Sequence, residues 1–122
     1  MRVLIVDDSR VMRTIEGKIL KELGCEISEA GNGQEGLKVL KETGKADLAI
    51  VDWNMPEMNG LEFVKAVRAD HAYDTMRVMM VTTENGMEHV TKALEAGANE
   101  YVMKPFAKEV IQQKLEILGI AK

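Results

Sequence analysis

Short apolar runs and longer stretches with apolar residues spaced by three and four alternate five times along this chain. The first run, Val3-Leu4-Ile5-Val6, leads into a stretch carrying Val11, Met12, Ile15, Ile19, Leu20 and Leu23 at helical spacing. Ser9 suits the cap of that helix and Gly24 its exit. Cys25-Glu26-Ile27-Ser28-Glu29-Ala30 alternates, the pattern of a half-exposed edge strand. Gly31-Asn32-Gly33 then turns the chain into a second helix, with Leu37 and Leu40 inward and an end near Gly44. Leu48-Ala49-Ile50-Val51 is continuously apolar, as in a strand buried on both faces, and it ends at Asp52. Met58-Asn59-Gly60 introduces a third helix with Leu61, Val64 and Val67 on one face, and residues 69–75 read as a polar connection. Val78-Met79-Met80-Val81 is a second fully buried strand, ending at Thr82. A fourth helix begins near Gly86 and carries Val90, Ala93 and Leu94 before Gly97. Glu100-Tyr101-Val102-Met103 is the last strand, closed by Lys104-Pro105, and a final helix carries Val110, Ile111, Leu115 and Leu118.

Strict β-α alternation predicts an α/β fold of three layers, a parallel five-stranded sheet with helices on both faces. The continuous runs are then inner strands and the alternating second strand an edge. That agrees with a flavodoxin-like (βα)5 arrangement in the order 2-1-3-4-5, whose ligand crevice lies between strands 1 and 3. A length of 122 residues predicts a single domain over 1–122, with no linker and no second domain for output. The composition, 46% hydrophobic and 30% charged, is that of an ordinary soluble protein. A net charge of −4 offers no basic stripe for nucleic acid or an anionic membrane. The first apolar run is too brief for a signal peptide or a membrane span. A lone cysteine, Cys25, makes no internal disulfide, and a reducing cytoplasm is the expected home.

The residues that follow the strands carry chemistry. Strand 1 ends in Asp7-Asp8, strand 3 in Asp52, strand 4 in Thr82-Thr83 and strand 5 in Lys104. In a parallel sheet these ends share one edge. Three carboxylates a few ångströms apart repel, and such clusters hold protons or a cation. An all-oxygen donor set favours a hard ion such as Mg²⁺ over Zn²⁺. With the Lys104 ammonium and the Thr82 hydroxyl alongside, the group forms a receptor for phosphoryl oxygens, and Asp52 becomes a candidate nucleophile.

These residues resemble the receiver domains of bacterial two-component response regulators, from about Arg2 to Leu118. The marks are Val6-Asp7-Asp8, Val51-Asp52, Met55-Pro56, Gly60, Val81-Thr82 and Lys104-Pro105. The wording Asp52-Trp53-Asn54-Met55-Pro56 with Gly60-Leu61-Glu62, plus Tyr101, is most similar to stand-alone chemotaxis members. The resemblance implies a signalling switch rather than an enzyme, in which a histidine kinase gives its phosphoryl group to Asp52 with Mg²⁺. It implies that Asp8, Asp52 and the backbone carbonyl of Asn54 hold the metal, with Asp7 acting through a water or as a further ligand. Thr82 and Lys104 would grip the phosphoryl oxygens, and the Lys104-Pro105 bond would be cis. Thr82 and Tyr101 would move together as the switch, with output through helix 4, strand 5 and helix 5, where Met87, Val90 and Lys92 could contribute. Asn54 and Glu84 would tune the lifetime of the phosphorylated state, while Thr83, larger than the alanine often found there, leaves the sign of the net effect open. The implied partners are the kinase, a downstream target such as a flagellar motor switch, and a phosphatase, with the protein itself monomeric.

Other residues read more plainly. His71 and His89 are expected on the solvated surface, Cys25 as a small strand residue, and most of the nine methionines as core filling. Gly31-Asn32-Gly33 lacks the lysine and hydroxyl of a P-loop. Trp53 has no catalytic role but should report on a metal beside it. A phosphorelay intermediate, passing the phosphoryl group to a histidine phosphotransfer protein, is the alternative within the same family. A phosphatase of the haloacid-dehalogenase type is disfavoured because Asn54 stands where those enzymes have a second aspartate as general acid. A flavodoxin is disfavoured because Asp7-Asp8 would repel the flavin phosphate.

Overall fold

The alternating pattern folds as β1 (Arg2–Val6), α1 (Arg10–Glu22), β2 (Glu26–Ala30), α2 (Gly33–Thr43), β3 (Leu48–Asp52), α3 (Gly60–Arg68), β4 (Arg77–Thr82), α4 (Met87–Ala96), β5 (Glu100–Met103) and α5 (Lys108–Ile117). The computed structural model describes residues 1–44, 46–53, 58–82, 87–103 and 107–119, with 87–90 described by their backbone alone. The strands form one parallel sheet in the order β2-β1-β3-β4-β5, the order that the hydrophobic pattern predicts.

Because side chains alternate along a strand, the sheet sends its aliphatic residues to two separate cores. Leu4, Val6, Ala49, Val51, Val78 and Met80 pack with Leu40 of α2, Phe63, Val64 and Val67 of α3 and Ala93 of α4. Val3, Ile5, Leu48, Ile50, Met79 and Val81 pack on the other face with Leu20 of α1 and with Ile111 and Leu115 of α5. All five residues of β3 are buried, so the central strand is dry from Leu48 to Asp52. Burial of a Leu, Ile or Phe side chain contributes about 1.5–3 kcal/mol, which makes these faces the main source of stability. The helix starts are fixed locally. Ser9 caps α1 by accepting the Met12 N–H, and Asn32 caps α2 by accepting that of Glu35. Asn59 and Glu62 form a reciprocal capping box on α3.

Four expectations are corrected. In α1 the inward face holds Glu16, Gly17 and Leu20, while Val11 is 68% and Ile15 46% exposed. Gly17 faces the sheet, where an added Cβ would make ordinary contact with Ile5 and Ile27 at 3.9–4.0 Å. Ile15 lies roughly 200° round the helix from Gly17 and is turned to solvent. Leu94 of α4 and Val110 of α5 are likewise exposed, because Ala93 and Ile111 beside them take the inward positions. The connection 69–75 is not purely polar: it makes a 3₁₀ turn, His71–Tyr73, that buries Tyr73. Cys25 is buried but precedes β2 rather than belonging to it.

One polar knot fastens the sheet edge remote from the strand C-termini. Arg68, the last residue of α3, donates to the carbonyls of Gly97, Tyr73 and Met76 and to the Asn99 side chain, at 2.8–3.0 Å. Gly97 has φ +116° and would place a Cβ 2.6 Å from Arg68 Cγ, so glycine serves there both for conformation and for space. Burial pushes the Arg68 pKa below the usual arginine value; Asp74 opposes that shift and Arg77 adds to it. Since truncation would leave several carbonyls without their donor, Arg68→Ala is expected to cost about 2–3 kcal/mol. Urea unfolding checks this, and a loss below about 0.5 kcal/mol would show the knot to be dispensable.

Candidate functional site

The parallel register decides which side chains meet at the C-terminal edge. Val6 stands beside Val51, so the next residues, Asp7 and Asp52, follow side by side at the β1 and β3 ends. Asp52 in turn pairs with Val81, which puts Thr82 one step beyond it on β4. Asp7 and Asp52 are 1% and 6% exposed, whereas Asp8 faces solvent. Carboxylate oxygens of all three lie within 4.8 Å of one another. Thr82 is also buried.

Local hydrogen bonds hold this edge in place. Asp7 Oδ1 accepts the Ser9 N–H at 2.8 Å, and the Asp7 N–H donates to Ala30 of β2 at 3.0 Å. Arg13, one turn into α1, donates to the Asp7 carbonyl and pairs with Glu29 at 3.2 Å. On the β3 side, the Trp53 N–H donates to the Val81 carbonyl and the Gly60 N–H to the Trp53 carbonyl. At Gly60 an added Cβ would lie 2.5 Å from the Asp52 carbonyl oxygen and 2.7 Å from Met80 Cε. Only glycine lets α3 begin this close to the strand end that carries Asp52.

Three carboxylates at this separation, two of them buried, concentrate negative charge where little water can screen it. The donors are all hard oxygens with one open, solvent-facing side at Asp8. That donor set fits a hard divalent cation such as Mg²⁺, which retains water and takes one or two carboxylates.

Of the residues that the sequence marks, Asp7, Asp8 and Asp52 converge, and Thr82 ends the neighbouring strand. Tyr101 lies beside Met80 in the register and is half-buried. Asn54, Thr83, Glu84, Lys104 and the Lys104-Pro105 bond lie outside the described residues, as do the side chains of Met87, His89 and Val90. His71 is exposed and stands 3.1 Å from Asp74, a surface residue as expected. Lys92 is on the exposed side of α4. The supporting roles of Arg13 and Glu29 carry no sequence signal, since a charged pair sixteen residues apart reads as ordinary surface.

A family model described as the response regulator receiver domain matches residues 3–116. The chemotaxis protein CheY homolog of Campylobacter jejuni is 48% identical over 121 residues, covering 98% of this chain and 93% of that protein. Chemotaxis protein CheY1 of Helicobacter pylori is 45% identical over 119 residues, 97% of this chain and 96% of that one. Among solved structures, chemotaxis protein CheY4 of Vibrio cholerae superposes with a TM-score of 0.90 at 36% identity, covering 96% of this chain and 97% of that one.

If carboxylate crowding dominates the electrostatics of this edge, Asp8→Asn should melt higher than the parent in buffer free of divalent ions, by roughly a few degrees. It should also weaken the response of Trp53, the sole tryptophan, to added Mg²⁺. Thermal melts and a fluorescence titration check both; an unchanged Mg²⁺ response in the variant would remove Asp8 from the ion's site.

Proposed function

The chain belongs to the response regulator receiver domain family, and on that footing we propose that it is a phosphorylation-driven switch with Asp52 as acceptor. The observation that carries this reading is the convergence of Asp7, Asp8 and Asp52 at one edge, with Asp52 at the end of a fully buried strand. Asp7, Asp8, Asp52 and the Asn54 carbonyl would hold Mg²⁺. When bound, the ion neutralises the carboxylates and the incoming phosphoryl oxygens.

The protein's own residues supply the remaining chemistry. An Asp52 carboxylate oxygen attacks the phosphorus of a phosphohistidine on a histidine kinase, the phosphorus–nitrogen bond breaks, and the imidazole leaves as the proton it needs is taken up from solvent. The product is an aspartyl phosphate. Burial of Asp52 between strands limits it to in-line approach from the open edge. The Thr82 hydroxyl donates to one phosphoryl oxygen, and the Lys104 ammonium neutralises another. Asn54 and Glu84 would tune the lifetime of the product, as the family resemblance implies. Movement of Thr82 toward the phosphoryl group is followed by inward turning of Tyr101, which alters the surface formed by α4, β5 and α5.

The protein is thus a carrier of a message rather than a turnover catalyst, acting as one cytoplasmic, monomeric unit on a separate target. Support for a chemotaxis role comes from relatives named as chemotaxis proteins that match nearly end to end. A flagellar motor component is then the target, and a phosphatase can shorten the signal. Incubation with Mg²⁺ and acetyl phosphate tests the acceptor. Intact mass should rise by one phosphoryl group, stable to acid and labile to base, and the gain should vanish in Asp52→Asn. Equal labelling of that variant would overturn the assignment.

A further inference from the structure

Glu100 opens β5 and Lys114 lies in the last turn of α5. Glu100 Oε1 and Lys114 Nζ are 3.2 Å apart, and their side chains are only 17% and 23% exposed. The same Oε1 accepts the Tyr101 backbone N–H at 2.9 Å. Lys114 Nζ stands 5.3 Å from the centroid of the Tyr101 ring. One carboxylate oxygen therefore fixes an ammonium group and the backbone of the residue whose ring that ammonium covers.

An ion pair in open solvent contributes little, because both long side chains are free to choose water instead. Here most of each side chain is withdrawn from water, and the Lys114 cation lies within range of attraction to the face of the ring. We propose that Glu100 and Lys114 form a positioning pair that holds the Tyr101 ring in its present orientation and so biases the switch toward the state that has this orientation. The inference rests on the role given to Tyr101 above, and adds residues that the receiver motifs do not include. Turning the ring away from this orientation takes it out from under the cation, so the pair opposes that turn by the strength of the contact. Linkage makes the effect reciprocal: whatever draws Lys114 away from Glu100 favours the other ring orientation to the same degree.

The chain contains two tyrosines, Tyr73 and Tyr101, which makes the test direct. Protein grown with 3-fluorotyrosine gives two fluorine resonances, assigned with Tyr73→Phe, and buried Tyr73 is the internal reference. In unphosphorylated protein, Lys114→Met keeps the stem and removes the charge. It should change the ratio of Tyr101 ring orientations about two- to fivefold. Lys114→Arg, which keeps the charge, should restore the parent spectrum. Glu100→Gln, which frees the ammonium without altering α5, should move Tyr101 in the same direction as Lys114→Met and serves where that variant does not fold. Coincident Tyr101 signals in parent and variants would overturn the proposal, as would equal shifts in the Met and Arg variants, which would mark packing rather than charge. Phosphoryl uptake from acetyl phosphate, scored separately by intact mass, keeps the two readings distinct. Absent uptake in the parent sinks the acceptor assignment, whereas normal uptake with unmoved Tyr101 signals sinks only the pair.

Discussion

Three carboxylates held within 4.8 Å of one another at the end of a buried sheet are a standing electrostatic cost, and the surrounding structure is what sustains it. No local preference of the chain would gather Asp7, Asp8 and Asp52. They meet because β1 and β3 are neighbours in a parallel sheet and both end at the same edge. The sheet that brings them together is held by two apolar faces, packed by α2, α3 and α4 on one side and by α1 and α5 on the other. Charge is placed where the backbone register puts it, and the core holds the register.

The same division of labour explains several residues that have no part in the chemistry. Gly60 lets α3 start against the Asp52 carbonyl. Arg13 and Ser9 hold that turn by its Asp7 carbonyl and carboxylate. At the opposite edge, Arg68 ties α3 to the segments leading into β4 and β5. The end that bears Asp52 is crowded with carboxylates, and the end away from it is tied by the Arg68 hydrogen bonds. That asymmetry suits the proposed switch, whose acceptor would be Asp52.

The sheet order and the acidic trio were legible because they depend on coarse patterns: continuous apolar runs for inner strands, an alternating run for an edge, and polar residues immediately after each run. Helix faces were less legible. Spacing alone put Val11 and Ile15 inside α1, yet the small Gly17 and the buried Glu16 define its inward face. A hydropathy pattern treats glycine as a gap and glutamate as surface, so it rotates such a helix the wrong way. Arg68 was equally hidden, since three of the partners named for it are backbone carbonyls, which every residue possesses. The contact of Lys114 with Glu100 and Tyr101 depends on how α5 lies against β5, a tertiary fact with no trace in residue spacing.

The central claim is that one aspartate among the three takes the phosphoryl group while the other two serve the ion. Borohydride reduces an acyl phosphate to the alcohol and so marks the residue that carried it. After treatment with acetyl phosphate and Mg²⁺, followed by reduction and peptide mass analysis, the account predicts homoserine at position 52 and unmodified aspartates at positions 7 and 8. Reduction product at position 7 or 8, or a phosphoryl group found only on a hydroxyl or histidine side chain, would contradict it.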